Sequence, residues 1–107
     1  MPFSFYPAYF RLPDLPYIPG NDAAGVIEKV GSDVHGLSVG QRVFVAVRNS
    51  GAYAEYIVTE STFVFPLHQR LSFAQGAALG TPYFTAYKAL IIAAKAKPGE
   101  TVRLTSF

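Results

Sequence analysis

The groups that could ligate a metal or move a proton are few. The chain has two histidines, His35 and His68, seven Asp and Glu residues and no cysteine. Without Cys, a thiolate zinc site and a disulfide framework are both excluded. The two histidines lie far apart in sequence, without the i, i+4 spacing that puts two imidazoles on one helix face. A His–carboxylate site assembled by the fold stays open at this point, but solvated loop histidines are the simpler reading. No general acid, base and nucleophile stand together in the sequence as a recognisable constellation.

The elements that would have to position any such group fall into three stretches. The first, up to Pro19, carries Pro2, Pro7, Pro13, Pro16 and Pro19 among aromatic residues. Prolines at that density remove backbone donors and fix φ, so an extended arm packed by its own rings is expected there. From Ala24 the pattern becomes β. Val26, Glu28 and Val30 alternate with Ile27 and Lys29 up to a Gly31-Ser32-Asp33 turn. Val43 to Val47 reads as a buried strand, Tyr53 to Val58 as another, and Phe63 to Phe65 as a short one stopped by Pro66.

The third stretch is helical. Ser72 and Gln75 have capping-box spacing and open a short helix through Leu79, which Gly80 interrupts. Thr81-Pro82 reads as N-cap and N1 of a second helix, whose Tyr83, Tyr87, Leu90, Ile91 and Ala94 form one apolar face. Pro98-Gly99 ends it, and Thr101 to Leu104 is a candidate strand. The composition shift near Leu71 is the one candidate boundary.

Size and charge narrow the function classes. At 107 residues two complete domains do not fit, given about 100–200 residues for each. Residues 1–60 hold four basic and six acidic side chains, and 61–107 hold five and one, so the halves carry −2 and +4. The excess cations, Arg70, Lys88, Lys95, Lys97 and Arg103, are scattered over different elements and do not make a nucleic-acid stripe. The longest apolar run, Ala89 to Ala94, is far short of the ~18–20 residues that span a bilayer. With no basic n-region at the start, a cytoplasmic protein is expected.

Four short motifs then occur in a telling order. They are Pro16-Tyr17-Ile18-Pro19-Gly20-Asn21-Asp22-Ala23-Ala24-Gly25-Val26-Ile27, Val39-Gly40-Gln41-Arg42-Val43, Gly51-Ala52-Tyr53-Ala54-Glu55-Tyr56 and Ala77-Ala78-Leu79-Gly80-Thr81-Pro82-Tyr83-Phe84-Thr85-Ala86-Tyr87. Each is short and Gly-rich. Together, from about Tyr9 to Val102, they resemble the medium-chain dehydrogenase/reductase superfamily, most closely its zinc-independent quinone oxidoreductases of the zeta-crystallin type.

The resemblance implies a mixed α/β chain: a partial GroES-like β domain over 1–70, then over 71–107 the interdomain helices and first strand of an incomplete Rossmann-type nucleotide-binding domain. It implies reduction of quinones by NADPH in the cleft between the two. Zinc relatives place a ligating His directly after the glycine matching Gly20. This chain has Asn21 there, so a zinc-free site is implied. Tyr9 matches a tyrosine bordering the nicotinamide and substrate cleft, and Thr85 a threonine whose hydroxyl reaches the cofactor. An arm aromatic and a hydroxyl back-bonded to the carbonyl one turn earlier are the competing readings of these two. Asp22 stands where zinc relatives keep a Glu and is read as a turn carboxylate or one that supports the site from behind. Gly25, Gly31 and Gly40 are read as backbone requirements, and Tyr53 and Tyr56 as core and sheet aromatics.

Two parts of the pattern are missing: the opening strands with their Gly-Val-Asn loop, and the Gly-rich turn that binds the pyrophosphate. A truncated, weakly active or inactive form of the reductase follows from that. The alternative is a non-enzymatic module that docks on a full-length homologue or pairs with itself.

Overall fold

The structure is a computed structural model and describes residues 14–47 and 51–105. Its centre is a three-stranded antiparallel sheet of β1 (Asp22–Val26), β2 (Arg42–Ala46) and β3 (Val64–Pro66), in the order β1-β2-β3. Ala24 pairs with Phe44, and Phe44 with Phe65, so side chains alternate between two faces in step across all three strands. Val43, Val45 and Val64 share one face. Asp22, Ala24, Phe44, Ala46 and Phe65 share the other, on which the helices pack.

The β1–β2 ladder runs past the regular strands. The Ile27 N–H donates to the Gln41 carbonyl at 3.0 Å, and the Gly40 N–H donates to Ile27 at 2.8 Å. Gly40 has φ +87°, a left-handed conformation that an L side chain resists, and it turns the chain into β2. Gly31 and Gly25 correct the sequence reading. Neither has a positive φ, and among the described residues a Cβ on Gly25 would meet nothing within 4 Å.

Among the described residues two expected strands do not form. Residues 53–56 form bends, and the segment to Thr59 pairs with no strand among the described residues. Tyr53 and Tyr56 are 73% and 72% exposed instead of lying in the core. Among the described residues Thr101–Thr105 also pairs with no strand, and Leu104 is 91% exposed. Both segments have suitable β-propensity, but a strand needs a neighbouring edge to satisfy its backbone.

Helix α1 (Phe73–Ala77) opens on the expected capping box: the Ser72 hydroxyl accepts from the Gln75 N–H at 3.1 Å, and the Gln75 side chain accepts from the Ser72 N–H at 2.9 Å. Helix α2 (Gly80–Tyr87) starts two residues earlier than expected, with Leu79 as N-cap. Thr81 therefore sits inside the helix and Pro82 at its third position, where the missing N–H still costs nothing. The helix widens into a π-helical segment over Lys88–Ala93, closed by a bond from the Ala94 N–H to Ala89. The expected stop at Pro98-Gly99 is a turn in which Glu100 N–H donates to Lys97 and Gly99 takes φ +90°, the geometry that Pro-Gly favours at its two centre positions.

Candidate functional site

The helix-bearing face of the sheet is drawn close by two glycines one turn apart. A Cβ on Gly76 would lie 2.7 Å from the Leu67 side chain and 3.1 Å from Ala24 Cβ. On Gly80 it would lie 2.6 Å from Asp22 Oδ1 and 3.0 Å from the Val45 carbonyl. Both are buried, and only hydrogen fits at either place. Beside them Phe44, Phe65 and Phe84 make a ring cluster, with centroids 5.0 Å apart for Phe65 and Phe84 in an edge-on arrangement.

Asp22 is central to this junction. Its Oδ1 accepts from the Thr81 N–H at 2.7 Å, so the first residue of β1 supplies the acceptor that Leu79, the N-cap, does not. A carboxylate is well placed there, because it satisfies one orphan donor and faces the positive end of the helix dipole. The reading of Asp22 as a turn carboxylate is thereby sharpened: it couples the sheet to α2. Thr85 lies one turn further along α2, exposed, and stands i, i+4 from Thr81 on the same side. Tyr9 lies outside the described residues.

Around the start of β1 the loop is fastened by backbone-directed bonds. Asn21 Nδ2 donates to the Val47 carbonyl at 2.8 Å, and the Val47 N–H donates back to Asn21 at 2.6 Å. The Asn21 amide therefore holds β1 to the end of β2. Tyr53 lays its ring over Gly20, whose φ of +94° leaves no room for a side chain. Both histidines are exposed on loops; His68 Nδ1 accepts from the Arg70 N–H. Among the described residues no group of three His, Cys, Asp or Glu side chains could hold a metal ion.

Sequence reasoning missed Arg42. Its guanidinium donates to the carbonyls of Leu71 at 2.6 Å and His68 at 3.2 Å, and lies 4.6 Å from the Phe73 ring centroid. It thus ties the sheet to the entry of α1. No local pattern signals this, since its partners are 26 and 29 residues away. The approach of Gly76 and Gly80 did have a signal: their four-residue spacing.

The profile of the alcohol dehydrogenase GroES-like domain matches residues 4–69. Quinone oxidoreductase from Homo sapiens is 52% identical over 94 residues, which cover 88% of this chain and 29% of that protein. The Mus musculus quinone oxidoreductase is 50% identical over 95 residues, again 29% of its length. The crystal structure of a human synaptic vesicle membrane protein VAT-1 homolog-like protein superposes with a TM-score of 0.77 at 34% identity, covering 81% of this chain and 27% of that one. The chain thus spans less than a third of the length of these relatives. The short Gly-rich motifs, the close helix–sheet junction they build and these likenesses place the chain in the alcohol dehydrogenase GroES-like domain family of the medium-chain dehydrogenase/reductase superfamily.

Proposed function

We propose that the chain is part of an NADPH-dependent, zinc-independent quinone reductase of the cytoplasm, with little or no turnover by itself. The observation that carries this is the identity of about half to quinone oxidoreductases over nearly nine-tenths of the chain, at 29% of their length. Residues 71–107 are then the approach to a Rossmann-type nucleotide-binding domain. The zinc-free reading is supported by the chain's lack of Cys and by Asn21, whose amide is engaged with Val47.

NADPH, when bound, supplies a hydride to the quinone. Of the residues proposed to meet it, Thr85 offers an exposed hydroxyl on α2 that would donate to a carboxamide or phosphate oxygen. Tyr9 would border the same cleft. A Gly-rich pyrophosphate turn is not among residues 1–107, so these residues fit the cofactor only in part. They would orient it without supplying most of its affinity.

Titrating the chain with NADPH by nicotinamide fluorescence, followed by turnover assays with a quinone series, tests this reading. Weak binding, reduced further in Thr85→Ala, and turnover far below a full-length quinone oxidoreductase are expected. Turnover equal to the full-length enzyme overturns it. A second reading, a module that docks on a full-length homologue, is favoured by the exposure of Tyr83, Tyr87 and Ile91 along one helix face. Co-elution with a full-length quinone oxidoreductase distinguishes it.

A further inference from the structure

The residue of α2 proposed to meet NADPH is Thr85, and a helical side chain is only as well placed as the helix that carries it. A helix packed on a sheet is located by its distance, by its rotation about its own axis and by its position along that axis. Gly80 sets the distance, because a Cβ there would meet Asp22 Oδ1 at 2.6 Å and the Val45 carbonyl at 3.0 Å. Phe84 sets the rotation by packing on Phe44 and Phe65 of the sheet, with ring centroids at 6.3 and 5.0 Å. Thr85, the next residue, is thereby held about 100° around the helix from that contact.

The axial position falls to Asp22. Ring contacts tolerate sliding, whereas the 2.7 Å bond from the Thr81 N–H to Asp22 Oδ1 is directional and engages one residue of the helix. Thr85 lies four residues on, about 6 Å along the axis. From Lys88 the winding becomes π-helical, so the regular frame that contains Thr85 is registered at its Asp22 end.

The origin of the cap is the second observation. An acceptor on the N-cap residue itself would satisfy the same kind of N–H but travel with the helix, stabilising it without locating it. Here the N-cap is Leu79, which has no acceptor side chain, and the oxygen comes from β1, 59 residues from Thr81. Asp22 is in turn a firm point of reference. It pairs with Ala46 in the β1–β2 ladder, and its neighbour Asn21 exchanges two hydrogen bonds with Val47.

We propose that Asp22 is a positioning residue for the cofactor: through the Thr81 N–H it sets where along the sheet Thr85 presents its hydroxyl to NADPH. This rests on the reductase reading and adds to it a residue that acts through another.

NADPH titrations by nicotinamide fluorescence, on Asp22 variants with and without Thr85→Ala, test it together with the NMR signal of the Thr85 methyl group in cofactor-free protein. Asp22→Asn and Asp22→Ala carry the same charge, so the difference between them reports the acceptor oxygen. Asp22→Ala should bind NADPH about threefold more weakly than Asp22→Asn. It should also shift the Thr85 methyl signal and lower its order parameter. In the Thr85→Ala background the two variants should bind alike, because the hydroxyl they position is gone. Asp22→Glu keeps charge and acceptor but carries the oxygen one methylene further into the space closed by Gly80. It should displace the Thr85 signal too, which serves if the alanine variant does not fold. An acceptor effect of equal size with and without the Thr85 hydroxyl overturns the proposal, since Asp22 would then act on the fold as a whole. So does a Thr85 signal that none of the folded variants moves. Failure of the reductase reading looks different: the wild-type chain then binds no NADPH, and the proposal falls with it.

Discussion

A carboxylate at the first residue of a strand has no general reason to be there, and Asp22 is explained by the helix it faces. Its Oδ1, 2.7 Å from the Thr81 N–H, caps α2 across a junction so tight that Gly80 has no room for a methyl group. Removing the acceptor leaves the Thr81 N–H at the mercy of water, and removes a negative charge from the positive end of the helix. Asp22→Ala is therefore expected to cost about 1 kcal/mol, within the range of lost N-caps. Asp22→Asn keeps an acceptor oxygen and should cost clearly less. Urea denaturation of the three proteins reads the difference. Equal losses in the two variants would show that charge, rather than the hydrogen bond, holds the junction. Asn21 teaches a related lesson. No local pattern signals its role, and the structure shows that it holds Val47 in place.

The elements legible in the sequence were those whose signals are local. The Ser72–Gln75 capping box, the Pro98-Gly99 turn and the apolar run that becomes β2 all formed where short-range chemistry puts them. What failed was non-local. Tyr53–Val58 and Thr101–Leu104 have strand composition, but pairing depends on an edge elsewhere in the chain, and periodicity says nothing about whether one is free. The start of α2 was misplaced because its cap is Asp22, 59 residues away, where local reasoning looked for a hydroxyl next door. Of the candidate site, Thr85 could be placed on a helix from spacing, whereas Arg42 could not be found at all. The helix end carries a prediction of its own. Lys95 follows the π-helical segment with φ +51°, a left-handed conformation that costs an L residue roughly 1 kcal/mol. Its side chain is exposed. Lys95→Gly should therefore raise stability by about 0.5–1 kcal/mol, seen as a higher urea midpoint at unchanged slope. A lower midpoint would mean that the lysine stabilises the last carbonyls by more than its backbone strain costs.

Taken whole, the chain makes a good junction and an incomplete core. Among the described residues only Val43, Val45, Ala52 and Leu67 are buried apolar side chains. Helices pack on one face of the sheet, and α2 with its π-helical extension presents Tyr83, Tyr87 and Ile91 to solvent at 65%, 60% and 48%. Such surface differs from the scattered exposed hydrophobes of ordinary proteins because the residues recur at i, i+4 and i+8 and form one stripe. A hydrophobic dye should find it without unfolding. The chain is therefore expected to enhance anilinonaphthalene sulfonate fluorescence in plain buffer, while circular dichroism still shows a cooperative thermal transition, which separates it from a molten globule. Tyr83→Ser/Tyr87→Ser/Ile91→Ser should remove much of the enhancement. Since these side chains lose little burial on substitution, stability should fall by no more than about 0.5 kcal/mol per site, leaving the thermal midpoint little changed. No enhancement in the wild-type chain would mean that the stripe is covered in solution, and a large fall in midpoint would mean that it packs against something within the chain.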